Sequence, residues 1–227
     1  MKKLFTIVLL PIVIIGLVFL VYSSISKPVK FDKERDARKV VAIQQLKDIR
    51  ELEVAFKSVY THFTSDPDSL KDFYLNGKMK VDLQIGSPDD SAAVANTDRI
   101  KKAKKGITNA QLYDMYQKGE KNLVFIIESE VPTRETILVG RNDFDINKID
   151  VIPFSEGDKV IFDSVIKTVS GVQVPLFEAK MPYNSLLKGM DHQLIVNLNA
   201  EMTDTDRYPG LMVGSVENPN NNAGNWE

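Results

Sequence analysis

Few residues in this chain have the type and spacing that chemistry needs. Asp143, Asp145 and Asn147 stand at alternate positions, like the oxygen ligands that open a calcium loop. Such a loop requires glycine at its sixth position and a bidentate glutamate at its twelfth. Lys148 and Phe154 stand there instead, so the segment is expected to be a turn between strands. Glu128 with Glu130 and Asp204 with Asp206 are paired acids. Hydrolysis by carboxylates needs two such groups converging across a cleft at a fixed separation, and surface acids are the expectation here. His62 and His192 are far apart in sequence, and cysteine is absent. That excludes disulfides, thiolate metal sites, iron–sulfur clusters, cysteine nucleophiles and a lipidated N-terminal cysteine. There is no nucleophile elbow, phosphate loop, dinucleotide fingerprint or His-Glu-x-x-His motif. We therefore expect no catalytic, cofactor-binding or metal-binding residues. The expected role is non-enzymatic, with a carboxylate-based hydrolase as the enzymatic alternative.

Arg99 to Lys105 (RIKKAKK) is rich in positive charge and could meet lipid headgroups or an acidic partner. It has no interleaved aromatics on which bases could stack, and a net charge of −2 gives the chain no field to attract nucleic acid. A solvated face is the simpler expectation, and nucleic acid is not an expected partner.

The elements that carry these residues begin with an anchor. Leu4 to Ile25 is uncharged, and 16 of its 22 residues are Leu, Ile, Val or Phe. A helix of that length spans roughly 33 Å, against about 30 Å for a hydrocarbon core. Ser24-Ile25-Ser26 would serve as a signal-peptidase site, but the apolar run exceeds what cleaved signals carry. Residues 1–28 are thus expected to be a retained transmembrane anchor, with the lipid bilayer as a partner. A literal count of basic residues, Lys2 and Lys3 before the span against six between Lys27 and Lys39 after it, would place the C-terminal side in the cytoplasm. We place it in the periplasm, because a short basic head followed at once by an apolar run is how exported chains begin. Asp32, Glu34 and Asp36 also dilute the basic flank. The expected location is the bacterial inner membrane, single-pass.

Residues 29–64 are expected to form a long amphipathic helix, with Pro28 as a kink or break before it. Ala42, Leu46, Ile49, Phe56, Tyr60 and Phe63 follow spacings of four and three, interrupted by Glu53 and widened by Leu52 and Val59. Glu34 with Arg38 and Glu53 with Lys57 are i,i+4 pairs expected on the wet side. The apolar face must be covered, either by the chain's own domain or by a coiled coil with another chain. Phe56, Val59, Tyr60 and Phe63 are bulky and suit docking a domain. Ala42, Leu46 and Ile49 are smaller, nearer the membrane, and suit a partner helix.

Residues 65–227 are expected to be one α+β domain, an antiparallel or mixed sheet with helices on one face. Asp66 and Pro67 start a short helix ending near Asn76-Gly77. Lys80 to Ile85 reads as a strand, Ser87 to Asp98 as a polar loop, and 109–118 as a helix opened by a capping box at Thr108. Leu123 to Ile127 reads as a buried central strand. TILV, DVIPF, KVIF, VQVPLFEAK and QLIVNLN read as further strands, with a two-residue hairpin turn at Ser170-Gly171. Pro175 and Pro182 suggest an edge strand. The Asn-rich tail from Glu217 carries the sole tryptophan, Trp226. Trp226 either pins the tail to the domain or anchors it in a partner.

Two segments, RDARKVVAIQQLKDIRELEVAFKSVYTHFTSD and YPGLMVGSVENPNNNAGNWE, resemble a group of single-span envelope proteins of Bacteroidota. The resemblance covers about a quarter of the chain; it implies an envelope location and no residue roles. The order of elements is also similar to pilins, pseudopilins and the single-span scaffold proteins of type IV pilus and type II secretion platforms. The span opens Leu4-Phe5-Thr6, without the Gly-Phe processing site or the early glutamate of pilins, so the scaffold comparison is an analogy of architecture. These readings imply a membrane-anchored structural or assembly component of an envelope complex, associating with itself or with other envelope proteins through the juxtamembrane helix. The alternative is an anchored domain that binds a small molecule or glycan.

Overall fold

The computed structural model describes residues 10–227; Lys2, Lys3 and the first residues of the apolar run lie outside them. The fold is α+β. Helix α1, Leu10–Tyr60, runs unbroken for 51 residues with Pro28 inside it, about 76 Å at the standard rise. The described part of the chain divides into two compact units, one of residues 10–71 with Asp143–Glu227 and one of Asp72–Asn142. The segment 65–227, expected as a single domain, is thus shared between them. The boundary falls within α2, Pro67–Asn76, whose start is capped by Asp66 accepting from the Asp68 and Ser69 amides.

In the first unit α1 packs on an antiparallel sheet of order β3-β4-β5, with β3 Ile161–Val169, β4 Val172–Pro182 and β5 Gly210–Gly214. The β3–β4 hairpin turns at Ser170 (φ 51°) and Gly171 (φ 84°), both left-handed, which matches the twist of the flanking strands. The register pairs Val169 with Val172 and Ile161 with Lys180. One sheet face, with Phe177, Ala179, Met181, Leu211 and Val213, is buried, as are Ala42, Leu46, Ile49 and Leu52 of α1.

Several expectations need correction here. β4 is the central strand of the three, not an edge. β5 pairs only with Glu178 to Pro182, so Pro175 lies on the half of β4 that β5 does not reach, where a missing N–H costs nothing. QLIVNLN lies in helix α6, His192–Asp204, after the short α5, Tyr183–Leu186. Ile195 and Leu198 form its buried face, and Asp191 caps it through the Gln193 and Leu194 amides. TILV forms no strand, and DVIPF contributes a single bridge, Val151 to Lys159.

The second unit is built on a two-stranded ribbon, β1 Lys78–Ile85 paired antiparallel with β2 Phe125–Pro132. SPDDSAAVANTD is largely helical rather than a loop. Asp90 accepts from the Ala92 and Ala93 amides and opens α3, Ser91–Ala103, because an aspartate before an alanine-rich run satisfies the first free amides. Helix α4, Asn109–Gln117, carries the expected capping box at Thr108 and Gln111. Leu123 to Ile127 is not a central strand: Phe125 is buried but Ile126 is half exposed, as a ribbon covered on one face requires. Ile85, Leu112, Leu123 and Phe125 make this unit's core.

Candidate functional site

The feature around which function can be organised is α1, because its surroundings change along its length. From Leu10 to Ile25 every Leu, Ile, Val and Phe side chain is exposed, and α1 is long and apolar enough to cross a membrane. Phe31 is the first buried residue. Beyond it the helix is fastened to its own unit by polar side chains as well as by apolar packing. The Arg38 guanidinium donates to the Leu186 and Lys188 carbonyls at 3.2 and 2.9 Å, pairs with Glu34 at 3.0 Å, and lies 5.0 Å from the Phe154 ring centre. The Gln45 amide donates to the Lys148, Ile149 and Val151 carbonyls at 3.1, 2.9 and 2.9 Å. Gln45 thereby seats the 3-10 turn Ile146–Lys148 of the calcium-like segment on α1. In that turn Asp145 accepts from the Asn147 amide. Among the described residues no group of three or more His, Cys, Asp or Glu could hold a metal ion.

The structure rearranges the residues singled out on this helix. Ala42, Leu46 and Ile49, expected at a partner interface, have no exposed surface and are covered by the chain itself. Phe56 and Phe63 are buried, and Phe63 packs on Phe177 with ring centres 4.7 Å apart. Val59 and Tyr60, expected in the same docking cluster, are exposed. Docking onto the domain therefore begins at the end of this stretch nearer the apolar run and extends through Phe56.

Glu53 is the residue that sequence reasoning misplaced. Its side chain is fully buried, and Lys57 lies over the Phe63 ring at 4.9 Å, so the expected wet-side pair is absent. One carboxyl oxygen accepts from the Thr64 amide at 3.1 Å; the other is enclosed without a hydrogen-bond partner among the described residues. Burial pushes the pKa up to about 8, against a smaller opposing pull from the Thr64 amide, because a low-dielectric site disfavours the charged form. Its place in the run Leu46, Ile49, Glu53, Phe56 was the signal for burial, since helical spacing puts it on the covered face.

Asp150 is a second buried carboxyl, and this one is charged. Lys71 and Lys159 lie 3.1 and 2.6 Å from its two oxygens. Burial alone would raise its pKa, but the two ammoniums outweigh that and hold it below the usual carboxylate range.

The tail is docked rather than free. The Gly214 amide donates to the Ala223 carbonyl and the Asn225 amide to the Met212 carbonyl, both at 3.0 Å. The Asn225 side chain accepts from the Met212 amide and donates to the Gly210 carbonyl. These bonds cover the outer edge of β5. Trp226, one of the two alternatives for which was an anchor in a partner, is partly buried in its own chain. Its ring lies so close to Gly224 that a β-carbon there would fall 2.3 Å from it.

In the second unit Lys104, Lys105 and Lys118 line an open concavity of about 450 Å³, with Ile107 and Met115 also in its wall and Asp114 as its one acid. It is a surface for an anion by charge alone. It contains no aromatic side chain and no carboxylate pair, so it offers neither a stacking platform for a sugar nor a hydrolytic dyad. No protein-family model, curated protein or solved structure matches this chain.

Proposed function

We propose that this chain is a single-span protein of the bacterial inner membrane, anchored by the first part of α1 with its folded part in the periplasm. There it serves as a non-enzymatic structural or assembly component of an envelope complex of the secretion or pilus-like kind. The observation that carries the reading is the change of environment along one continuous helix, uncovered and apolar to Ile25 and then buried along one face, at Phe31 and from Ala42 to Phe56. Each Leu, Ile, Val or Phe left in water forgoes roughly 1.5–3 kcal/mol, so the uncovered run calls for a bilayer. A helix that passes without interruption into a packed head transmits position rigidly, which suits a scaffold. Association cannot use Ala42, Leu46 and Ile49, since the chain covers them itself, and must use other surfaces.

Reporter fusions at the C-terminus test the orientation. A reporter that works only outside the cytoplasm should be active and a cytoplasmic one silent. The opposite pattern would reverse the placement.

A further inference from the structure

The three-stranded sheet has two outer edges, and the chain treats them differently. The tail covers β5, while the outer edge of β3 has no backbone partner among the described residues. A bare row of N–H and C=O groups is a template for another strand. Two charges on β3 face the same way with Val165 between them. Among the described residues Asp163 has no side-chain hydrogen-bond or ion-pair partner, and it stands opposite Glu178 of β4 in the register, a like charge. Lys167 has no acidic partner among the described residues either; its ammonium donates to the neutral Glu217 carbonyl at 2.9 Å. Ile161 and Val169, at the two ends of that row, are 50% and 37% exposed.

We propose that two copies of this chain join through β3, antiparallel about a two-fold axis at Val165, so that the three strands of each copy form one continuous sheet. In that register Asp163 of each copy faces Lys167 of the other, Ile161 faces Val169, and Val165 faces itself. The pattern is self-complementary, as an isologous contact must be. A shift of two residues sets both charges against aliphatic side chains. A shift of four sets Asp163 against Asp163 or Lys167 against Lys167. The charges that deter other strands therefore select this one. The pairing gives the self-association in the reading above a surface, and it does not depend on the anchor.

The absence of cysteine makes the test clean. Val165→Cys in the full chain, in native membranes or in detergent, should form a disulfide-linked dimer on mild oxidation, because residues facing each other across antiparallel strands lie within disulfide reach. Val196→Cys, exposed on α6, should not. Mixing an Ile161→Cys chain with a Val169→Cys chain should give the mixed dimer, using two exposed positions that leave the core intact. In the Val165→Cys background, Asp163→Lys or Lys167→Asp should lower the cross-linked fraction roughly tenfold, and both together should restore it. The pairing is overturned if neither cross-link exceeds the Val196→Cys control, or if the double exchange is no better than the single ones. Sedimentation of the same membranes reads the anchor separately. A chain that pellets without cross-linking refutes the pairing alone, and one that cross-links while soluble refutes the anchor alone.

Discussion

The Arg50 guanidinium lies 2.7 Å from the Glu227 carboxylate, joining the C-terminal part of α1 to the last residue of the chain across 177 positions of sequence. The hydrogen bond from Arg50 holds the Glu227 carboxyl below its ordinary pKa. Arg50 also donates to the Asn222 carbonyl at 3.4 Å. The same helix that carries the apolar N-terminal run therefore also holds the tail that covers β5.

Removing the tail's ring should loosen that cover. Trp226→Ala is expected to cost about 2 kcal/mol, less than a full core truncation because the ring is only partly buried. Amide exchange at Met212 and Gly214, whose N–H groups bond to the tail, should speed up more than at the β3–β4 hairpin. Equal acceleration at both places would mean that the tail supports the fold globally and does not guard one edge.

Leu46→Ala should destabilise the first unit by about 3 kcal/mol, since the side chain has no exposed surface and its removal leaves a cavity. Denaturant unfolding reads this directly. A change near zero would mean that this stretch of α1 is not packed on the sheet.

Glu53 should make stability fall as pH rises. Its folded pKa is raised from the ordinary 4.5 to about 8, so between those values the folded state holds a proton that the unfolded state has released. Stability is fully present below about pH 4.5 and is lost as pH climbs through 8, by at most about 5 kcal/mol. Glu53→Gln, which cannot ionise, should flatten this loss while leaving stability near pH 5 little changed. Melting curves from pH 5 to 9 check it; parallel profiles for the two proteins would refute the buried, protonated carboxyl.

Asp150 should act in the opposite direction. Its pKa is held below the ordinary 3.8, so its contribution is present above that value and disappears as pH falls below it. Asp150→Asn at neutral pH should cost about 2 kcal/mol, less than a fully buried pair because Lys159 is 63% exposed. The substituted protein should also lose less on acidification. An unchanged acid limb in the unfolding profile would contradict this.

What the sequence made legible was local chemistry with a single solution. The Ser170-Gly171 turn, the Thr108 capping box, and the Asp66 cap with Pro67 after it lie where their residue types require. Where two structures share one pattern, sequence reasoning failed. QLIVNLN alternates like a strand, yet Ile195 and Leu198 are also three apart, and the cap at Asp191 decided for a helix. The alanines of SAAVANTD were outweighed by the turn residues before them, although Asp90 was the cap that started a helix. In the candidate site the covered face of α1 was visible from its spacing, but what covers it was not. The sheet that does so lies more than a hundred residues later in the chain, and no local signal encodes that distance. Gln45 and Arg50 were missed for the same reason, since their partners are carbonyls and the Glu227 side-chain carboxylate, all remote in sequence.

The most direct measurement is the state of residues 10–25 in the mature protein. Membranes from cells making the full chain would be washed at alkaline pH, floated on a density gradient, and the protein's intact mass determined. An anchored chain stays with the floating membranes and has a mass that includes the apolar run. A soluble protein lacking its first two dozen residues would contradict the anchor and the reading built on it.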